Sequence, residues 1–182
     1  MTGQPTEELV VVLDFGSQYG QLIARRVREQ NVYCRILSHR TLAAEVRKLS
    51  PRGIILSGGP ASVYEAGAPR CDEEVFRLGV PVLGICYGMQ LGCQVLGGKV
   101  TPGDKREFGR AKLDVLEHEP LFSGLPAELT VWMSHGDQVR SAGERFVALG
   151  RTDTCPVAAV RSADGGFFGV QFHPEVTHTP HG

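Results

Sequence analysis

Residues 80–98 read VPVLGICYGMQLGCQVLGG, and the parsing of this stretch decides the fold. An apolar run reads as a buried strand up to Cys86. From Gly88 the apolar residues recur at helical spacing until Gly97-Gly98 stops them. A strand that passes directly into a helix holds its corner residue, Cys86, in strained backbone geometry. The two segments then run too close for a Cβ two positions to either side, and both positions are glycine, Gly84 and Gly88. The corner side chain stands at a helix N-terminus, where unpaired N–H groups and the helix dipole favour a thiolate. The second cysteine, Cys93, shares a helical face with Met89 and Leu96 and reads as packing.

Upstream, Leu9–Asp14 reads as a strand, and residues 17–31 as a helix with Ser17 as candidate cap and Leu22, Ile23 and Val27 on its apolar face. Residues 32–37 form a second expected strand, and a short helix follows around 41–49. RGIILSGGP (52–60) is a third strand ending in a glycine pair, and residues 71–78 look helical. Strand–helix repetition of this kind builds a parallel sheet. After residue 98 the pattern changes to short strand candidates, KLDVLE, LTVWMSH, RFVALGRT, PVAAVRS and FFGVQFH, separated by Gly, Pro and Asp turns. The expectation is one α/β domain over 1–182. It is a flavodoxin-like open, mostly parallel twisted sheet with helices on both faces, plus a smaller antiparallel β portion in the C-terminal half.

Composition narrows the function. The chain has 182 residues, 42% of them hydrophobic and 21% charged, with a formal net charge of -1. That profile carries no bias toward nucleic acid or membrane partners. Five cysteines without a CxxC pair argue against a disulfide framework and for a reducing compartment. No zinc-type spacing appears, so no metal is expected. The polar, acidic start MTGQPTEE is neither a signal nor a transit peptide, and no apolar stretch reaches the ~20 residues of a membrane helix. The expected location is the cytoplasm. Neither GxxxxGK[ST] nor GxGxxG is present.

A cysteine nucleophile needs a proton carrier. In FFGVQFHPEVTH (167–178), Phe168, Val170 and Phe172 point to one face of an extended chain, and Gln171 and His173 to the other. His173 and Glu175, two apart, fall on one side, so the carboxylate can orient the imidazole. His-Pro-Glu alone is more often a surface turn. It gains meaning from Cys86 at a strand–helix corner. Gly58-Gly59-Pro60 is either a plain turn or a bare loop whose Gly59 N–H joins that of Tyr87 as an oxyanion hole at the sheet edge. His135, in WMSHGDQV, is a solvated turn residue or a substrate contact.

GICYGMQ together with FHPE resembles the class I glutamine amidotransferases, and the resemblance covers almost the whole chain. LDFGSQYGQLIARRVRE, SGGPASVYE, SHGD and HPEVTHTPHG narrow it to the glutaminase domains of the GMP synthase family. It implies Cys86 as nucleophile, His173 as base and acid, and Glu175 as its orienting partner. It implies Gly59 and Tyr87 as oxyanion donors, with Gln90, Ser134, His135, Gly136 and Asp137 gripping the amino-acid end of L-glutamine. The implied reaction releases glutamate and ammonia through a γ-glutamyl thioester, with no cofactor in this domain. The ammonia would serve an ATP-pyrophosphatase synthetase domain, absent from this chain, that converts XMP to GMP with Mg-ATP. The chain stops at Gly182, before a closing helix such domains carry, which reads as an excised domain. The alternatives are a glutaminase subunit of another amidotransferase, or a regulatory module with little activity without its partner.

Overall fold

The structure, a computed structural model, describes residues 8–182, apart from the side chains at 104 and 105. The N-terminal segment, expected not to be a targeting peptide, lies almost wholly outside the described residues. Nine strands, β1 (Leu9–Asp14), β2 (Tyr33–Ser38), β3 (Gly53–Leu56), β4 (Val82–Ile85), β5 (Lys99–Val115), β6 (Glu128–Ser141), β7 (Phe146–Arg151), β8 (Ala159–Ser162) and β9 (Phe167–Val170), form one sheet. Its order is β2-β1-β3-β4-β9-β8-β7-β5-β6. From β2 to β9 every pairing is parallel, and from β9 to β6 every pairing is antiparallel. The expected α/β class, a parallel sheet continued by an antiparallel portion from the C-terminal half, is the observed one, though the antiparallel portion is no smaller than the parallel one.

Alternation along the strands sorts the core into two layers. Val11, Leu13, Ile54, Leu56, Val82 and Phe167 face one side. They pack with Ala43 and Val46 of α2 (Ala43–Lys48) and with Met89, Leu91 and Cys93 of α3 (Tyr87–Val95). Val12, Ile85 and Val170 face the other side, with Ile23 and Ala24 of α1 (Gly20–Glu29). The helices therefore cover both faces. Cys93 is fully buried, as its helical face implied, and burial pushes its thiol up to about 12. Among the described residues no helix is long and apolar enough to cross a membrane.

Three local readings are corrected. Ser17 does not cap α1: the Asp14 carboxylate takes the N–H groups of Gly16 and Ser17 at 3.0 and 3.1 Å, which delays the helix to Gly20. The Ser17 hydroxyl instead accepts from the N–H of Tyr19 at 3.0 Å. Residues 71–78 make only a short 3-10 turn, Glu73–Arg77, opened by the Asp72 carboxylate. The strands expected at KLDVLE and LTVWMSH are parts of a long hairpin, β5–β6, so SHGD lies within β6 and not in a turn after it.

The corner at Cys86 depends on contact distances. A Cβ on Gly84 would lie 2.5 Å from the backbone of Gly88 and Met89, and a Cβ on Gly88 would lie 2.3 Å from the Leu56 carbonyl oxygen. Neither neighbour is the end of a flexible side chain, so neither can yield without moving the helix. Gly88→Ala is expected to destabilise by about 2–3 kcal/mol, which lowers the thermal midpoint by roughly 5–10 °C. Gly166→Ala, whose Cβ meets only the Asp164 side chain at 3.6 Å, should change it little. Circular-dichroism melts of the two variants beside the parent chain check this.

Candidate active site

The parallel pairing of β4 with β9 brings the two chemical motifs together. Ile85 is in register with Val170, and the Cys86 N–H donates to the Val170 carbonyl at 2.8 Å. Cys86 and the segment 171–173 therefore leave adjacent strands at the same sheet edge. Cys86 has φ +51 and ψ −104 as the N-cap of α3, a conformation that favours glycine and that cysteine adopts here under constraint. Its thiol meets the Ser134 carbonyl at 3.7 Å and accepts from the Gln171 amide at 3.6 Å.

His173 and Glu175 are both buried, with Nδ1 of the ring 2.8 Å from Oε1 of the carboxylate. Burial alone would lower the imidazole pKa. The neighbouring Cys86 sulfur and the Glu175 carboxylate outweigh that loss and raise it to about 10. With Nδ1 facing the carboxylate, Nε2 is the ring nitrogen left for the thiol. Oε2 of Glu175 is buried without a hydrogen-bond partner among the described residues. Its charge therefore bears on the ring without another donor to absorb it.

The backbone around the pair is tied down. Arg26 of α1 donates from Nε to the Glu175 carbonyl at 2.9 Å. The Thr179 hydroxyl donates to the His173 carbonyl at 2.7 Å and accepts from the Trp132 N–H at 3.0 Å. The His173 N–H in turn donates to the Trp132 carbonyl at 2.9 Å. The sequence supplied no spacing rule for Thr179 or Arg26, because both act across the fold.

Gly58 and Gly59 lie beside this pair. A Cβ on Gly58 would come 3.3 Å from the His173 ring and 3.8 Å from the Cys86 Cβ, and one on Gly59 would come 3.1 Å from the Phe15 carbonyl. Tyr87 is the first residue of α3, whose N–H has no intrahelical acceptor. Its hydroxyl is anchored on the Pro69 carbonyl at 2.5 Å.

Cys86 opens on two cavities. The larger, about 640 Å³, is also lined by Gly59, Tyr87, Gln90 and residues 134–137, so all the residues expected to hold a substrate surround one space. The smaller, about 190 Å³, lies on the His173 side against residues 16–19.

Two of those residues are already committed to the protein. The Gln90 amide donates to the Asp137 carbonyl at 2.9 Å and to Oε1 of Gln171 at 3.1 Å. His135 is buried, with Nδ1 3.0 Å from the Asp137 carbonyl and Nε2 3.0 Å from the Glu107 carboxylate. Glu107, which sequence reasoning missed, also accepts from the Thr152 hydroxyl at 2.8 Å. Only the β5–β6 pairing reveals it, since Glu107 is in register with His135. Tyr64, also missed, donates to Asp137 at 2.6 Å across the cavity mouth.

Among the described residues one grouping, Glu107, His135 and Cys155, places metal-ligating atoms within 4.8 Å of one another. Its donors are turned onto protein partners. Both ring nitrogens of His135 are engaged, and burial pushes the Cys155 thiol up to about 12. That chemistry suits a hydrogen-bonded knot better than a metal centre.

The family model for glutamine amidotransferase class-I matches residues 11–182. A GMP synthase [glutamine-hydrolyzing] of Enterococcus faecalis is 54% identical over 175 residues, covering 96% of this chain and 34% of that protein. A protein of the same name from a Synechococcus species is 53% identical, with 33% of it covered. The chain thus spans about a third of the length of the curated relatives it matches. Among solved structures, a putative GMP synthase subunit from Thermoplasma acidophilum superposes with a TM-score of 0.85 at 30% identity, covering 97% of this chain and 88% of that one. A glutamine amidotransferase from Thermotoga maritima shares the fold at a TM-score of 0.77 and 23% identity, over 94% and 78% of the two chains. With a family match running from β1 to the last residue and a relative of nearly equal length sharing the whole architecture, the chain belongs to the class-I glutamine amidotransferases.

Proposed function

We propose that this chain is the glutaminase unit of a GMP synthase, hydrolysing L-glutamine to glutamate and ammonia. The observation that carries the reading is the placement of Cys86, held at φ +51, beside a buried imidazole whose far nitrogen is 2.8 Å from Glu175. The Cys86 thiolate attacks the side-chain amide carbon of glutamine, and the N–H groups of Gly59 and Tyr87 receive the oxyanion. The raised pKa keeps His173 an imidazolium at neutral pH, ready to protonate the departing ammonia. Water, deprotonated by the now neutral ring, attacks the γ-glutamyl thioester and releases glutamate. Cys86 regains its thiolate and His173 its proton.

The amino-acid end of the substrate lies among Gln90, Ser134, His135, Gly136 and Asp137. Because the side chains of Gln90 and His135 are spent on the Asp137 carbonyl, their part is to shape the 134–137 backbone. The ammonia passes to a synthetase domain, which converts XMP to GMP with Mg-ATP. The shared identity with proteins named GMP synthase [glutamine-hydrolyzing], of which this chain covers a third, supports that assignment. The five free thiols support a cytoplasmic setting.

A glutamine-derived electrophile such as 6-diazo-5-oxo-L-norleucine is expected to label Cys86 alone, as read by peptide mass mapping, with Cys86→Ala losing both label and glutamate release. Label on Cys93 with Cys86 untouched would overturn the reading. Glu175→Gln removes an anion that stabilises the imidazolium, so the His173 pKa falls and the alkaline limb of kcat/KM moves to lower pH. A shift of roughly one unit or more is expected, with kcat down by about a hundredfold or more. A pH–rate profile of the variant with an unmoved alkaline limb would remove Glu175 from the proton chemistry.

A further inference from the structure

We propose that Arg106 receives the α-carboxylate of glutamine and is the residue through which the site selects a free amino acid; this rests on the glutaminase reading above. The side chains with formal charge lining the 640 Å³ cavity are, among the described residues, Glu65, Arg106 and Asp137. Among the described residues Arg106 is thus the cavity's one strong cation, because both ring nitrogens of the nearby His135 are already engaged. No ion pair joins it to Asp137, whose carboxylate takes the Tyr64 hydroxyl at 2.6 Å. Arg106 has no ion pair or hydrogen bond with any other described residue. An arginine without an ion pair among the described residues, at the wall of a cavity that carboxylates also line, presents the charge pattern that a zwitterion complements.

The backbone aims it there. Along β5 the register with β6 slips between Pro102, paired with Asp137, and Glu107, paired with His135. Residues 103–106 therefore stand opposite Gly136 alone. Such irregularities re-aim side chains near active sites. Gly136 has no side chain, and a Cβ there would lie 3.6 Å from Cγ and Nε of Arg106. The arginine stem thus runs along bare backbone, and the guanidinium is presented beside residues 134–137. A planar guanidinium binds a carboxylate with two parallel hydrogen bonds, which a lysine ammonium cannot reproduce.

The test uses the Cys86→Ala chain, which binds without turnover, and titration calorimetry. Adding Arg106→Ala is expected to weaken L-glutamine binding about ten- to a hundredfold. It should leave the binding of glutamine α-methyl ester, which has no carboxylate, unchanged. Arg106→Lys should recover only part of the loss. With Cys86 intact, Arg106→Ala should raise KM for glutamine and leave kcat nearly unchanged. Unaltered glutamine binding in Arg106→Ala, or equal losses for glutamine and its ester, overturns the assignment while leaving the glutaminase reading standing. Failure of the Cys86→Ala chain with Arg106 intact to bind glutamine overturns that reading, and this assignment with it.

Discussion

The parallel pairing of β4 with β9 is the interaction on which the site depends. It joins residues 85 apart in the chain through the Cys86–Gln171 contact, and it sets the thiol beside the imidazole by backbone register. The intervening chain leaves the sheet as α3, runs through the β5–β6 hairpin and returns by β7 and β8. Closing so long an excursion costs little more entropy than closing a shorter one, because the cost grows only logarithmically with length. Burial of β4 and β9 offsets that cost on both faces, with Val82 and Phe167 in one core and Ile85 and Val170 in the other. Site geometry and fold stability therefore rest on the same residues.

The corner at Cys86 shows how the sheet sustains local strain. A cysteine at φ +51 carries a cost of about 1–3 kcal/mol. Its backbone is fixed at both ends, the N–H on the Val170 carbonyl and the carbonyl on the Gln90 N–H at 3.1 Å. Gly84 and Gly88 allow the helix to lie almost on the strand, so α3 cannot relax away from the corner without losing contact with β3 and β9. Strain and packing are one arrangement.

Much of this was legible in the sequence, and the limits are physical. The first half reads well because each strand is a short apolar run next to its helix, and because Gly84 and Gly88, each two residues from Cys86, mark a strand–helix approach spanning only four residues of chain. The pairing of His173 with Glu175 was legible because the two are local to each other, and the strained corner because Cys86 carries its own local signature. The β5–β6 hairpin was not, since its outer half, including Pro102, Gly103 and Gly109, lacks the apolar alternation that marks a strand. Its pairing is held by the partner strand. For the same reason Glu107, Thr179 and Tyr64 were invisible: each meets its partner across elements far apart in the chain. Ser17 misled because a serine before an apolar helical face has the form of a cap, whereas the Asp14 carboxylate had claimed that turn.

Burial does not distinguish Cys86 from the other thiols. Cys86 is 6% exposed, close to Cys34 at 1% and Cys93 and Cys155 at 0%. What differs is the material around each sulfur. Cys34, Cys93 and Cys155 are enclosed in the fold, and desolvation raises all three thiols, the latter two to about 12. Cys71, less enclosed, is still raised to about 11 by desolvation. An anion at Cys93 or Cys155 would meet no cation, and at Cys34 and Cys71 the nearby Arg28 and Arg70 do not offset desolvation. Cys86 lines two cavities, accepts from the Gln171 amide and faces an imidazolium that a second anion, Glu175, holds in place. The carboxylate thus serves the thiolate at one remove: by keeping the ring charged, it supplies the positive partner that a buried sulfur anion requires.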